Sequence, residues 1–306
     1  MGRFALRRIL HGIVVVLLVV VTVFVVTRMV GDPVRVMLPF EATKEQRAEF
    51  EHQLGLDRPI PAQFLTYVGD ISHGDFGDSL TKRQPAFDIV MERLPATLWL
   101  VAIGMGLAAV VSLTLGMFAA LRSGGLSDKL LVILSLAGLS MPQFWLGLLL
   151  IYFFSVKLGW LPSSGNNGWK AYILPAVTIA LPTIGRMAMI VRSSMVDELA
   201  QPYVQTARAK GMPTRRIIGL HALRNASVPV LTLFGWELIL VLAGYTAVVE
   251  TVFAWPGIGY LAYQSITDQD LILLQAIVFV VAIFVVIINV LIDLLYRAID
   301  PRIKLA

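Results

Sequence analysis

The stretch YVQTARAKGMPTRRIIGLHALRNA, residues 203–226, carries five Lys and Arg residues and no Asp or Glu, and it lies between two long apolar runs. Gly211 permits the left-handed conformation that ends a helix, and Pro213 suits the first turn of a following helix. The stretch therefore predicts a helix, a tight turn and a second helix. One face of the first helix would carry Tyr203, Thr206, Ala207 and Lys210. The alternative is an amphipathic helix held by lipid headgroups.

The composition of the whole chain identifies an integral membrane protein. Hydrophobic residues make up 57% of the chain and charged residues only 15%, whereas soluble domains contain about 25% charged residues. The absence of cysteine excludes disulfides and thiolate metal sites. The net charge of +5 indicates membrane topology and contact with anionic lipid, so we expect no nucleic-acid partner.

Six apolar runs are each long enough to cross a bilayer as a helix, which takes about 20 residues. They lie at residues 9–26, 95–121, 130–156, 172–195, 228–249 and 271–296. The first run is too long for a signal peptide and lacks a small-residue cleavage site, so we expect a retained span. The predicted fold is an all-α membrane protein with six transmembrane helices.

Lys and Arg residues in the short connections predict the orientation of these spans. They concentrate in the N-terminus, in 122–129, in 197–227 and in the tail, while the connections 157–171 and 250–270 hold only Lys157 and Lys170. The basic side is normally cytoplasmic, so both termini and the 197–227 loop should be cytoplasmic. The resulting division of the chain is a cytoplasmic N-terminus at 1–8, a first transmembrane helix at 9–27, an outer segment at 28–94, a five-helix core at 95–297 that includes the 197–227 loop, and a cytoplasmic tail at 298–306.

Segment 28–94 is predicted to be partly helical. Thr43 and Gln46 are spaced as a capping box, and Gly55 fits the end of the helix that follows. A second helix would place four apolar residues on one stripe: Phe64, Leu65, Val68 and Ile71. This segment is either a small cap on the span ends or a platform for an external partner.

No catalytic or metal-binding pattern is present in the sequence. The chain lacks the Gly-x-x-x-x-Gly-Lys-Ser/Thr loop that cradles ATP phosphates, so any use of ATP needs another subunit. Its four histidines are scattered without metal-ligand spacing. We expect a transport subunit that binds no cofactor or metal and is not an enzyme.

Charged residues inside the spans are candidates for function, because they are costly in lipid and usually face a bundle interior or a wet cavity. Glu237 falls in the middle of the fifth span and Arg186 lies in the fourth. Glu237 either forms a structural pair, with Arg186 as a candidate partner, or lines a translocation pathway.

Residues 205–211, QTARAKG, resemble the Glu-Ala-Ala-x-x-x-Gly signature in the cytoplasmic loop of the permeases of ATP-binding-cassette (ABC) importers. Ala207 and Gly211 match the signature, whereas Gln205 and Thr206 replace its Glu and first Ala, so no salt bridge is carried over from the Glu position. The continuation HALRNASVPV, residues 221–230, is similar to that of the dipeptide, oligopeptide and nickel group of these permeases. Seven further stretches resemble the same group in order: GDP at 31–33, LGLDRPIPAQF at 54–64, GDFGDSL at 74–80, RLPATLWL at 93–100, LGWLPSSG at 158–165, VVETVFAWPGIG at 248–259 and IDPRI at 299–303.

This resemblance implies a type I ABC importer permease in a bacterial inner membrane. Its partners would be a second permease subunit, two ATP-binding subunits that hold ATP and Mg, an external solute-binding protein and membrane lipid. The residues implied to couple the chain to the ATPase are Tyr203, Gln205, Thr206, Ala207, Arg208, Lys210, Gly211, Pro213, Arg215, Arg216 and His221.

Short peptides are the expected substrate of such a permease, and a nickel chelate is the alternative. The other class considered is a self-sufficient secondary transporter or channel. Such a protein would show internal repeats or several midplane charges, and the sequence offers only Glu237 as a midplane carboxylate.

Overall fold

The computed structural model describes residues 2–30, 43–53 and 57–299. Within these ranges the chain is helical and contains no β-strand, apart from an isolated bridge between Asp78 and Pro85. The predicted helix end at Gly55, the motif at 31–33 and the tail residues 300–306 lie outside the described residues. The helices are, in chain order, α1 Gly2–Val30, α2 Lys44–Gln53, α3 Ile60–Ser72, α4 Ala86–Leu121, α5 Leu126–Ser140, α6 Gln143–Lys157, α7 Ile173–Leu199, α8 Pro202–Ala209, α9 Thr214–Val252, α10 Ile258–Thr267 and α11 Leu271–Ile299.

Five helices are long and apolar enough to cross a membrane in a single piece: α1, α4, α7, α9 and α11. The predicted third span, residues 130–156, is not one straight helix. It is divided into α5 and α6, whose axes differ by 102°. Met141 takes an extended conformation (φ −88°, ψ 125°) ahead of Pro142, because a residue before proline is pushed out of the helical region. The described part of the chain has six spans if this bent pair counts as one.

The contacts divide the chain into two units, Met1–Ala96 with Gly257–Val286, and Thr97–Pro256 with Ile287–Ala306. In the first unit, α3 packs on α1 through Phe24, whose ring lies 5.2 Å from that of Phe64 and 5.5 Å from that of Tyr67. Of the four residues predicted to share one stripe, Ile71 is buried. Leu65 is 71% exposed and so does not belong to the buried stripe.

The start of α2 confirms the predicted capping box. The backbone N–H of Thr43 donates to the Gln46 side chain at 2.9 Å, and the N–H of Gln46 donates to the Thr43 hydroxyl at 3.3 Å. These reciprocal bonds satisfy two donors that a helix start would otherwise leave unpaired.

The core of the second unit forms where α4, α7 and α9 meet. Its buried apolar residues are Ala120, Met187, Val191, Met195, Ala222, Ala226 and Val230. Small residues allow the helices to approach closely: a Cβ added to Gly116 of α4 would lie 2.6 Å from Val191, and one added to Gly185 of α7 would lie 3.0 Å from the Ser135 carbonyl of α5. Close approach through small residues is typical of helices packed in membranes.

Candidate functional site

The basic stretch that follows α7 forms the predicted helix and tight turn. Gly211 has φ +73°, the left-handed conformation expected at this position. The N–H of Gly211 donates to the Arg208 carbonyl at 2.9 Å, and that of Met212 donates to the Ala207 carbonyl at 3.1 Å. These bonds satisfy carbonyls at the end of α8 and fix the direction in which the chain leaves it.

The second predicted helix is not a separate element. Pro213 is extended (ψ 139°) and stands immediately before the helix start, which is Thr214. From Thr214 the helix continues through a π-helical segment, Ile217–Ala222, into the apolar run up to Val252. The loop proper therefore consists of residues 200–213, and its second half is the first part of a spanning helix.

Burial separates the residues of α8 into two faces. Val204 is fully buried and Ala207 is 9% exposed, and both pack against Ile217 at the start of α9. The prediction that Ala207 shares an open face with Tyr203, Thr206 and Lys210 is therefore wrong: its small side chain lets α8 lie close to α9. The exposed residues of this region include Tyr203, Gln205, Thr206, Arg208, Ala209, Lys210, Gly211, Pro213, Arg215 and Arg216. His221 lies in the π-helical segment.

A polar cluster that the sequence did not predict joins this loop to both neighbouring spanning helices. The Tyr203 hydroxyl donates to Glu198 Oε2 at 2.6 Å, and the Asn225 amide donates to the same oxygen at 3.2 Å. The Asn225 amide also lies 3.3 Å from the Tyr203 hydroxyl. Partial burial raises the pKa of Tyr203, and its bond to the Glu198 carboxylate raises it further. One carboxylate therefore binds α7, α8 and α9 together.

Arg186 and Glu237 form a bidentate ion pair between α7 and α9. Arg186 Nε donates to Glu237 Oε1, and Arg186 Nη2 donates to Oε2 at 2.6 Å. The hydroxyl of Thr183 lies 3.3 Å from the same Oε2. Glu237 is 1% exposed, whereas the Arg186 side chain is 29% exposed. The Arg186 side chain is therefore partly accessible while the carboxylate is enclosed.

A second bidentate pair lies between α5 and α7. Arg192 Nε donates to Asp128 Oδ1 and Arg192 Nη2 to Oδ2 at 2.7 Å, while the N–H of Gly124 donates to Oδ2 at 2.9 Å. The sequence did not predict this pair. The one local feature that indicated a role for Asp128 is its position in the first turn of α5, where an acidic side chain interacts favourably with the helix dipole.

Two further carboxylates are completely buried, and neither was identified from the sequence. Glu250 accepts a bond of 2.6 Å from the Thr97 hydroxyl. Asp270 accepts bonds from the Ser79 hydroxyl at 2.6 Å, the Thr81 N–H and hydroxyl at 3.1 and 2.9 Å, and the Leu273 N–H at 3.0 Å. Burial would raise the pKa of Asp270, but these donors outweigh it and lower the pKa below its ordinary value. Asp270 thereby fixes residues 79–81 to the start of α11.

The carboxylates and histidines of the described residues do not gather into a metal site. No group of three or more His, Cys, Asp or Glu residues in that part of the chain could hold a metal ion. The buried carboxylates instead bind Arg, hydroxyl and backbone donors of the chain itself.

Comparison with known proteins gives consistent similarities over the whole chain. Residues 112–305 match the family described as binding-protein-dependent transport system inner membrane component, and residues 1–101 match the N-terminal family of the same membrane components. The chain is 39% identical over 305 residues to the glutathione transport system permease protein GsiC of Salmonella paratyphi A, covering 99% of both chains. It is 38% identical to GsiC of Escherichia coli K12 with the same coverage.

A solved structure shares this fold. The inward-facing MetNI methionine ABC transporter aligns with a TM-score of 0.55 and 21% identity, covering 69% of this chain and 96% of that one. At this identity the similarity concerns the fold alone. It agrees with the predicted type I importer arrangement of helices.

Proposed function

The chain belongs to the family of inner-membrane components of binding-protein-dependent transport systems, and from this membership we propose that it is the permease subunit of an ATP-driven importer of short peptides. It forms half of a translocation pathway and couples to separate ATPase subunits. Because the chain belongs to this family, the alternative of a self-sufficient secondary transporter or channel is excluded. The chain is a transport subunit, and ATP hydrolysis belongs to other subunits of the importer.

The observation that carries this proposal is the geometry of α8 and its turn. A short helix stands between two spanning helices and presents an exposed surface with two cations and no acid, which we call the docking face: Gln205, Thr206, Arg208, Ala209 and Lys210. A surface that only rested on lipid headgroups would not need a turn fixed by Gly211 or side chains that bind both neighbouring spans. A defined orientation is what a protein partner requires.

We infer the remaining subunits from the mechanism of such importers. A second permease completes the pathway, two ATP-binding subunits with ATP and Mg dock at the α8 loops, and an external solute-binding protein delivers the substrate. The chain would lie in a bacterial inner membrane with both termini in the cytoplasm, as the Lys and Arg distribution indicates. Closure of the ATPase pair would draw the two α8 helices together and turn the cavity outward.

Short peptides are the proposed substrate because the similar GsiC proteins are permeases for glutathione, which is itself a tripeptide. We further propose that Arg186 and Glu237 line the pathway, because the pair lies between two spanning helices and the Arg186 side chain is partly exposed. Uptake measured with di- and tripeptides, glutathione and a nickel chelate would identify the substrate. Uptake of the chelate alone would contradict peptide transport.

The docking face is tested by charge reversal at one exposed lysine. Lys210→Glu should lower copurification of the ATP-binding subunits by roughly 100-fold, because a carboxylate buried unpaired in an interface costs a few kcal/mol. Thr206→Asp should act in the same way. Lys170→Glu is the matched control, because Lys170 is exposed on a connection expected on the opposite side of the membrane. Normal copurification and uptake with Lys210→Glu would favour the lipid-surface interpretation.

A further inference from the structure

The short helix α8 is attached to its two neighbours in different ways. Against α9 it is held by apolar contact, since Val204 and Ala207 pack on Ile217. Towards α7 the backbone passes through Ala200 and Gln201, and Pro202 then begins α8 without a backbone N–H to donate. Side-chain bonds to α7 therefore decide whether α8 can turn about this connection.

Those bonds meet at one carboxylate oxygen. Glu198 is in the last turn of α7, Tyr203 is in the first turn of α8, and Asn225 lies about three turns into α9. Glu198 Oε2 accepts from the hydroxyl at 2.6 Å and from the amide at 3.2 Å. A bond from a hydroxyl to an ionised carboxylate at this length is among the stronger hydrogen bonds of proteins.

We propose that Glu198, Tyr203 and Asn225 form a latch that makes α8 move as one body with α7 and α9, so that force applied at the docking face reaches the spanning helices. These are positioning residues, and none of them belongs to the docking face. The inference rests on the proposed function for its consequence in transport. The mechanical link itself is a property of this chain alone.

The latch is located where a coupling element needs it. Arg186 and Glu237 join α7 to α9 within the spans, and the latch joins the last turn of α7 to Asn225 of α9 while adding α8. A displacement of α8 is therefore passed to two helices that are already connected to each other. Without the latch, α8 would retain its contact with α9 and its backbone connection to α7. It could then rotate about that connection, and part of its displacement would not reach the spanning helices.

The first test measures the mobility of α8 in the full-length chain in lipid nanodiscs. Because the chain contains no cysteine, a single cysteine at the exposed Gln205 accepts one nitroxide label. Tyr203→Phe keeps the ring and removes the hydroxyl, and it should raise the population of mobile label by roughly fivefold, the effect of one lost hydrogen bond. Glu198→Ala should do the same, whereas Glu198→Gln, which keeps an oxygen acceptor, should recover most of the order. An unchanged spectrum in both Tyr203→Phe and Glu198→Ala would overturn the latch.

The second test measures coupling in the assembled importer. Tyr203→Phe should leave the ATP-binding subunits bound and should raise the ATP hydrolysed per substrate transported by several-fold. The double variant Tyr203→Phe/Glu198→Ala should be no worse than Glu198→Ala alone, because Glu198→Ala already removes the acceptor of the Tyr203 hydroxyl. Additive losses, or an unchanged ratio with Tyr203→Phe, would contradict the latch.

Two controls separate the latch from general perturbation. Asp197→Ala removes a neighbouring exposed carboxylate in α7, and Tyr263→Phe removes an exposed hydroxyl in α10. Both should match the unmodified chain in label mobility and in coupling. If the unmodified complex recruits no ATP-binding subunits, the proposed function fails, and the label measurement still decides whether the latch exists.

Discussion

Buried carboxylates are the residues whose placement most constrains this chain. In the described part, four acidic side chains are less than 9% exposed: Asp128, Glu237, Glu250 and Asp270. Each accepts a hydrogen bond from a residue more than 50 positions away. A buried charge is costly unless it is paired, so each of these bonds fixes a contact between distant parts of the chain. Removing one partner of such a bond should destabilise the fold more than removing both partners, because it leaves the other group buried and unpaired.

The Arg186–Glu237 pair offers a test that separates its structural role from a role in the pathway. Glu237→Leu leaves Arg186 without its carboxylate in a span, where an unpaired Arg costs roughly 2.5–3.5 kcal/mol. We expect this variant to accumulate poorly in the membrane. The double variant Arg186→Leu/Glu237→Leu removes both charges and should restore accumulation, measured by membrane fractionation.

Uptake by the double variant then decides between the two interpretations of Glu237. Normal accumulation with impaired uptake would support the pathway role, and recovery of both would show that the pair is structural. The predicted difference in accumulation between the single and the double variant would be contradicted if Glu237→Leu alone accumulated as well as the unmodified chain.

Asp270 leads to a prediction about pH. Asp270→Asn replaces an oxygen that accepts three bonds by an amide oxygen or nitrogen, so at least one buried donor loses its partner at a cost of about 1–3 kcal/mol. The pKa of Asp270 is lowered in the folded chain. Its stabilising effect is therefore complete above the ordinary carboxyl pKa of about 3.9 and is lost as the pH falls through the lower folded value.

Thermal unfolding of the purified chain in detergent measures this effect. The difference in unfolding temperature between the unmodified chain and Asp270→Asn should be constant from about pH 8 to pH 5 and should shrink below about pH 4. Asp268→Asn, at an exposed position two residues earlier, is the matched control and should show no such difference. A difference that grows as the pH falls would contradict the assigned direction.

Among the elements, α4 and α7 approach each other closely at Gly116. A Cβ at Gly116 would lie 2.6 Å from Val191 Cβ and 2.8 Å from the Ala188 carbonyl, so Gly116→Ala must push the helices apart. We expect destabilisation of about 1–3 kcal/mol, read from the unfolding temperature in detergent. Gly106→Ala in the same helix meets nothing within 4 Å and should be neutral or slightly stabilising. Equal effects of the two substitutions would show that crowding at Gly116 is not the cause.

The break between α5 and α6 shows that the effect of a proline on a helix depends on its surroundings. Pro95, Pro182 and Pro229 all remain inside α-helices, whereas the chain turns by 102° beside Pro142. A proline removes one helical hydrogen bond and disfavours the helical conformation of its predecessor, but it does not by itself end a helix. Hydropathy averaged over residues 130–156 could not distinguish these cases, because a single Pro hardly changes the average.

For the whole molecule, the orientation in the membrane can be tested directly because the chain contains no cysteine. A single cysteine at Ser164 should react with an impermeant thiol reagent applied to intact cells, and one at Thr214 should react only after the membrane is opened. Both positions are exposed, so the difference reports sidedness and not burial. Labelling of position 214 in intact cells would contradict the predicted orientation.

Several features could be predicted from the sequence because each depends on residues that are close together along the chain. The apolar runs, the turn at Gly211, the capping box of Thr43 and Gln46 and the excess of Lys and Arg in short connections are local patterns. Each depends on backbone geometry or on transfer into lipid over a few consecutive residues. The resemblance of the loop to importer permeases had the same local basis, and comparison over the full chain confirmed the family.

Tertiary structure alone decided which side chains meet. Ala207 was assigned to an open face, yet it is buried against Ile217, because helical periodicity groups residues on a face without saying what covers it. The pairing of Asp270 with Ser79 spans 191 positions, and the Glu198 cluster combines three helices. Such contacts depend on helix packing between distant parts of the chain, which the order of residues within any one helix does not encode.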